Sequence, residues 1–161
     1  MPLSNLREFL DSKHVKYMVI SHSIAYTAQG IAALTHCSGK KLEKTVIVKI
    51  DGILAMAVVP APAHVDLDRL RTLTGAQTVE IASEHEFKDA FPDCETGAMP
   101  PFGNLYAMTV YADADLAENE EITFSAGTHR ELVRMNWNDM VRLVNPILGD
   151  LIHHWPAAVV A

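Results

Sequence analysis

Gly97-Ala98-Met99-Pro100-Pro101-Phe102-Gly103 joins two prolines to two flanking glycines, and it lies downstream of Lys44, which opens the apolar run Thr45-Val46-Ile47-Val48. The prolines fix φ and remove two donors, while glycine reaches backbone shapes closed to other residues, so the remaining N–H groups can be held in one geometry. Fixed amides near a compact ammonium suit an anion or a polarised carbonyl. Farther on, Ser125-Ala126-Gly127-Thr128-His129 supplies hydroxyls, a turn and an imidazole that can act as a base or as a donor to a substrate amino group. Ester hydrolysis fits this set: water must be placed against a carbonyl, and the developing oxyanion needs donors. Ser125 lacks a Ser-His-Asp setting, so a covalent intermediate is not expected. Met99, Phe102 and Ile47 are candidate pocket walls, and such walls separate side chains differing by one methylene by only about 1–3 kcal/mol.

Other chemistries find little support. Cys37 and Cys94 are the only cysteines and form no CxxC pair, which argues against a disulfide framework or a thiolate zinc site. The eight histidines include no HxxxH or HExxH pair, and the adjacent His153 and His154 cannot both face one ion from a regular helix. We therefore expect no metal and no cofactor; GxGxxG and Walker loops are absent. The net charge of −7 weighs against a protein that coats nucleic acid. A grip on one RNA end stays open, because His14, Lys16, Lys40, Lys41, Lys44 and Lys49 bias the first third towards positive charge. No apolar run is long enough to span a bilayer and the start lacks a signal-peptide core, so a cytoplasmic protein with no membrane partner is expected.

The elements that would position these residues follow from local patterns. Leu6, Phe9 and Leu10 share a helical face behind Ser4 as a cap, and Tyr17 to Ile20 reads as a strand. A helix from Thr27 to about Gly39 carries a Tyr26–Ile31 staple. Two apolar runs, Thr45–Ile50 and Ile53–Val59, flank Asp51-Gly52 as a β-hairpin covered on both faces over part of its length. Asp66 caps a helix ended by Gly75, Thr78 to Ala82 reads as a strand, and Ser83 with Glu86 forms a capping box for a short helix through Phe87 and Phe91, ended by Pro92. Leu105–Tyr111, Glu121–Ser125 and Glu131–Met135 read as further strands, and Asn138 or Asp139 starts a last helix closed by Pro146. At 161 residues one domain is expected. His22, His36, His64 and His85 read as surface or cap positions, and Trp137 and Trp155 as packing or docking residues.

The ordered set of Lys44-Thr45-Val46-Ile47-Val48, the Gly97–Gly103 loop and Phe124-Ser125-Ala126-Gly127-Thr128-His129 resembles the YbaK family of aminoacyl-tRNA editing domains, which includes the prolyl-tRNA synthetase insertion domain and its free-standing relatives. The resemblance implies an α+β fold with a mixed, barrel-like β-sheet and surrounding short helices over residues 1–148, leaving 149–161 as a C-terminal tail. It implies metal-free hydrolysis of mischarged tRNA, with the tRNA acceptor end as partner. Carried over by position, Lys44, Gly97 and His129 are the catalytic candidates. Thr45, Ala98, Met99, Pro100, Pro101, Phe102, Gly103, Ser125, Gly127 and Thr128 are the substrate-binding ones. Alanine-editing relatives tend to carry asparagine where this chain has Thr45. The expected activity is that of a free-standing deacylase acting on a small amino acid, with alanine on tRNA(Pro) first. The alternative is a non-catalytic binding or regulatory module that keeps the fold; association with a synthetase or with itself stays open.

Overall fold

The computed structural model describes residues 2–21 and 41–153. The helix expected from Thr27, together with His22, His36, Cys37, Lys40, Trp155 and the apolar end, lies outside those residues. Pro2–Ser12 form α1, which starts before Ser4, so that serine lies inside the first turn; a proline suits a first helical position because the N–H it lacks would have no partner there. Leu6 and Leu10 are buried from this helix. Tyr17–Ser21 form β1. Glu43–Ile50 and Ile53–Pro60 form β2 and β3, paired in unbroken register from Glu43↔Pro60 to Ile50↔Ile53. Asp51 and Gly52 both take positive φ, 49° and 82°, as the tight hairpin turn requires.

Leu67–Thr74 form α2, with the Asp66 side chain accepting from the amides of Asp68 and Arg69 and Gly75 closing the helix at φ 71°. Val79–Ile81 form β4, and Glu84–Phe87 form α3, which opens with the reciprocal Ser83–Glu86 capping box. The strand expected from Leu105 begins only at Val110, since β5 is Val110–Asp113. The delay has a local cause: the amides of Tyr106 and Met108 both donate to the Gly103 carbonyl at 2.9 Å, and Ala107 sits at φ 56°, so the chain doubles back first. Glu121–Ser125 and Glu131–Asn136 form β6 and β7. Trp137–Val144 form α4, capped by Asn136, whose side chain accepts from the amides of Asn138 and Asp139, the two residues expected to cap it. Ile147–Gly149 form β8.

The strands make two sheets. The larger is mixed, in the order β4-β2-β3-β5-β8, antiparallel through β3 and parallel beyond it; the smaller is antiparallel, β1-β7-β6. The α+β class and the mixed sheet are as expected, but the sheets do not close into a barrel. Their link is the parallel bridge Leu42↔Thr123, supported by a 3.0 Å bond from the Thr123 amide to the Lys41 carbonyl. Closure stops there because β2 gives one edge to β3 along its whole length and the other to β4 over Val48–Ile50.

β3 is buried on both faces, which its nearly continuous apolar sequence requires. Met56 and Val58 join the main core with Leu6, Phe102 and Phe124, while Ala55, Ala57 and Val59 join a second core with Val48, Leu70 and Leu151. Leu151 and Ile152 are thus packed on this chain itself, and the Leu151 amide donates to the buried Asp113 carboxylate at 2.9 Å. Among the described residues no helix is long and apolar enough to cross a membrane.

Candidate active site

Backbone hydrogen bonds knit the start of the glycine–proline loop to the turn after β6. The Glu95 amide donates to the Gly127 carbonyl at 2.8 Å, the Gly127 amide to the Ala98 carbonyl at 2.8 Å, and the Ala98 amide to the Glu95 carbonyl at 3.0 Å. Gly97 and Gly127 occupy the left-handed region, at φ 84° and 99°. His129 completes the clamp: its amide donates to Glu95 Oε2 at 3.2 Å, and its Nε2 lies 2.8 Å from the Thr96 carbonyl. A carbonyl only accepts, so Nε2 carries a proton and donates it to Thr96. The His129 side chain is 12% exposed, and a Cβ built on Gly97 would sit 3.6 Å from its Cε1, an ordinary van der Waals distance. Thr128 Oγ1 closes the turn, donating to Glu131 Oε1 and accepting from the Arg130 amide, each at 3.3 Å.

The loop's two halves differ. Ala98 through Gly103 are buried, and Phe102, 0% exposed, packs its ring against Phe9 and Phe124 at centroid distances of 6.0 and 5.5 Å. Met99 and Ile47 lie in the same core, so the side chains expected as pocket walls are core side chains. Gly103 is required by packing: an added Cβ would fall 2.3 Å from the Met108 carbonyl oxygen. Among the described residues the amides of Gly97, Met99 and Phe102 make no hydrogen bond, whereas those of Ala98 and Gly127 are spent on the clamp.

Lys44 is the second residue of β2, half-buried and in register with Val59. Burial lowers its ammonium pKa. It stands two residues beyond the Leu42↔Thr123 bridge, as Ser125 does on the parallel strand. Ser125 is paired with Leu132, which clusters with Leu42 and Ala61. Lys44 is thereby placed beside the strand end that leads into the His129 turn, although among the described residues no hydrogen bond or ion pair joins it to the loop. Thr45 follows on the alternate face, the one shared with Ile47. Among the described residues no group of three or more His, Cys, Asp or Glu is arranged to hold a metal ion. A groove of about 770 Å³ lined by Lys16, Arg134, Arg142, Glu120 and Glu121 lies at the opposite end of the three-stranded sheet, away from these residues.

The model of the aminoacyl-tRNA editing domain family matches residues 22–143. This chain belongs to that family. The proline–tRNA ligases of Bacillus mycoides (strain KBAB4) and Bacillus cereus (strain AH187) are each 28% identical to it over 87 residues, 54% of this chain and 15% of the ligase. The chain thus spans a small part of those relatives. Among solved structures, the hypothetical protein APE2540 superposes with a TM-score of 0.84 at 18% identity, covering 92% of this chain and 99% of that one. A candidate trans-editing enzyme for prolyl-tRNA synthetase superposes with a TM-score of 0.81 at 20% identity, covering 95% and 98%. A candidate signal transduction protein from Marinobacter aquaeolei VT8 gives 0.72 at 15%, covering 92% of this chain and 30% of that one. These likenesses show a shared fold.

Within the editing domain, two carboxylates stand out that the sequence does not single out. Glu95 holds the His129 amide; its only signal is its place two residues before the Gly97 turn. Glu43 is 3% exposed, and neither carboxylate oxygen has a hydrogen-bond partner. In the sequence a glutamate beside a lysine at a strand entry reads as solvated.

Proposed function

We propose that this editing domain is a trans-acting aminoacyl-tRNA deacylase, hydrolysing the ester of a tRNA that carries a wrong small amino acid, with alanine on tRNA(Pro) as the first candidate. Family membership supports editing chemistry. The observation that carries the finer reading is the clamp between Glu95–Ala98 and Gly127–His129, which fixes the Gly97 amide, without a hydrogen bond among the described residues, beside an imidazole. Water would attack the ester carbonyl carbon, the bond to the ribose oxygen would break, and a proton would pass to that oxygen. The exposed Gly97 amide is the candidate donor to the oxyanion, a role that fixed backbone N–H groups fill without reorganisation. Lys44 would neutralise the terminal phosphate or polarise the carbonyl, and its partial burial strengthens either contact. His129 would receive a proton or bind the substrate amino group, while Thr45, Ser125, Gly127 and Thr128 shape the surroundings. The ester is already activated, so the scheme needs neither a protein nucleophile nor a metal.

Deacylation of a panel of mischarged tRNAs, with Lys44→Ala and His129→Ala alongside, tests this. The expected result is turnover of a small aminoacyl ester and a fall of about 100-fold in kcat/KM for Lys44→Ala, the scale of one lost oxyanion contact. Turnover that ignores Lys44→Ala removes that residue from the mechanism. The likeness to a candidate signal transduction protein favours one second reading, a non-catalytic binding module. Tight binding of aminoacyl-tRNA without ester turnover would select it.

A further inference from the structure

Glu43 opens β2 at the seam where the two sheets meet. The backbone just before it is tied on both sides: Leu42 bridges Thr123, the Lys41 carbonyl accepts from the Thr123 amide at 3.0 Å, and the Leu42 carbonyl accepts from the Ala61 amide at 2.8 Å. Its register partner on β3 is Pro60, which has no N–H to offer. The side chain is therefore held inside by its own strand and given nothing to bond, which is rare for a buried polar group and calls for an account.

The charged groups around the seam offer no relief. On its own segment Lys41 is exposed, and Lys44 alternates to the other face of β2. From β3 and its continuation come Pro60 and Ala61. From β6 comes Thr123, whose Oγ1 accepts from Arg134 Nε of β7 at 3.3 Å, placing that cation with its own partner on the Thr123 side. Among the described residues no cation pairs with Glu43, and burial alone pushes its carboxyl up to about 8. At neutral pH the group is a neutral acid.

We propose that Glu43 is a positioning residue controlled by its own proton: as the neutral acid it seats the start of β2, and with it Lys44, and its ionisation unseats both. An unpaired carboxylate cannot remain at this depth without great cost, so proton loss must be answered by movement at the seam. The bonds that must give are those holding Leu42–Thr45 to Thr123 and β3, and Lys44 lies one residue away. The consequence for catalysis rests on the deacylase reading; the movement itself does not.

The linkage has a definite sign. The unfolded chain ionises Glu43 near the ordinary value of 4.5, whereas the folded chain keeps the proton to about 8. Stability from this group is therefore fullest below about 4.5, is lost as pH rises towards 8, and levels off above it. Three measurements on the full chain test the proposal: melting temperature against pH, the carbon-13 shifts of the Glu43 carboxyl and the Lys44 ε-carbon against pH, and kcat/KM for ester turnover after subtracting spontaneous hydrolysis. Glu43→Gln and the apolar Glu43→Met are compared with the native chain, so that failure of one variant to fold leaves the other. The native melting temperature should fall more steeply from pH 5 to 9 than in either variant, and the Lys44 shift should follow the Glu43 titration and lose that step in the variants. Native kcat/KM should drop about tenfold from pH 7 to 9 in excess of the variants, as one proton with a midpoint near 8 requires. Parallel melting curves, a Glu43 carboxyl titrating near its ordinary value, or a Lys44 shift blind to it would each overturn the proposal. Absence of turnover in every chain would sink the deacylase reading while the first two measurements still judge Glu43.

Discussion

The two glycines that frame the proline loop look equivalent in sequence and have opposite jobs. Gly103 is buried and chosen for close approach: its carbonyl gathers two amides, and no room exists for a Cβ. Gly97 is exposed and chosen for its left-handed backbone, with ordinary van der Waals space beside His129. One end of the loop is thus core, and the other is the face on which chemistry can be arranged. The prolines between them, both buried, transmit the rigidity of the first to the second. A loop held this way needs no separate support, because the main core supplies it.

The strongest way to break this division is at the core end. Phe102→Ala removes a ring that lies between Phe9 and Phe124 and should cost about 3–5 kcal/mol, read as a lower denaturation midpoint. Gly103→Ala should follow at about 3 kcal/mol, because the nearest obstacle is a backbone carbonyl and the Val110 side chain, neither of which can step aside cheaply. Both variants should lose ester turnover only in proportion to the folded fraction lost. A well-folded Gly103→Ala protein would show that the tight approach relaxes easily and that the core does not brace the loop.

The same asymmetry explains what the sequence made visible. The Asp51-Gly52 turn, the Asp66 cap and the Ser83–Glu86 box are local devices whose chemistry is complete within four residues, and each appears where expected. The three motifs that carry the candidate site residues were equally legible as ordered types, and the hydrogen bonds between Glu95–Ala98 and Gly127–His129 bring two of them together. Features that depend on distant partners were not legible. Asn136 ends β7 and caps α4 at once, so no gap marks the boundary. Met99 and Phe102 became core because α1 and β6 arrive over them, and Glu43 is buried because the two sheets meet at its strand. Openness of the barrel was likewise a matter of which edge of β2 pairs with what.

At the site end the effects on stability shrink while those on activity should not. Gly97→Ala places an L-residue at φ 84°, a strain of about 1–2 kcal/mol, or about 3–8 °C of melting temperature for a chain of this size. Its kcat/KM should fall tenfold or more, because the Gly97 amide, displaced by the distortion, is the candidate oxyanion donor and small misplacements are costly. A loss of activity no larger than the loss of folded protein would return Gly97 to the same class as Gly103.

The smallest stability effect is expected at Glu95, and it separates the clamp's backbone from its side chains. Glu95 joins Gly127 through its own amide, which a substitution keeps, and holds His129 through a side chain that is 52% exposed. Glu95→Ala should therefore cost about 1 kcal/mol or less, while releasing the His129 amide and lowering kcat by a few-fold. Glu95→Gln keeps an acceptor oxygen and should restore most of that rate. If both variants match the native chain in kcat and differ only in KM, the carboxylate acts on substrate approach, and His129 is held in place by Thr96 and the turn alone.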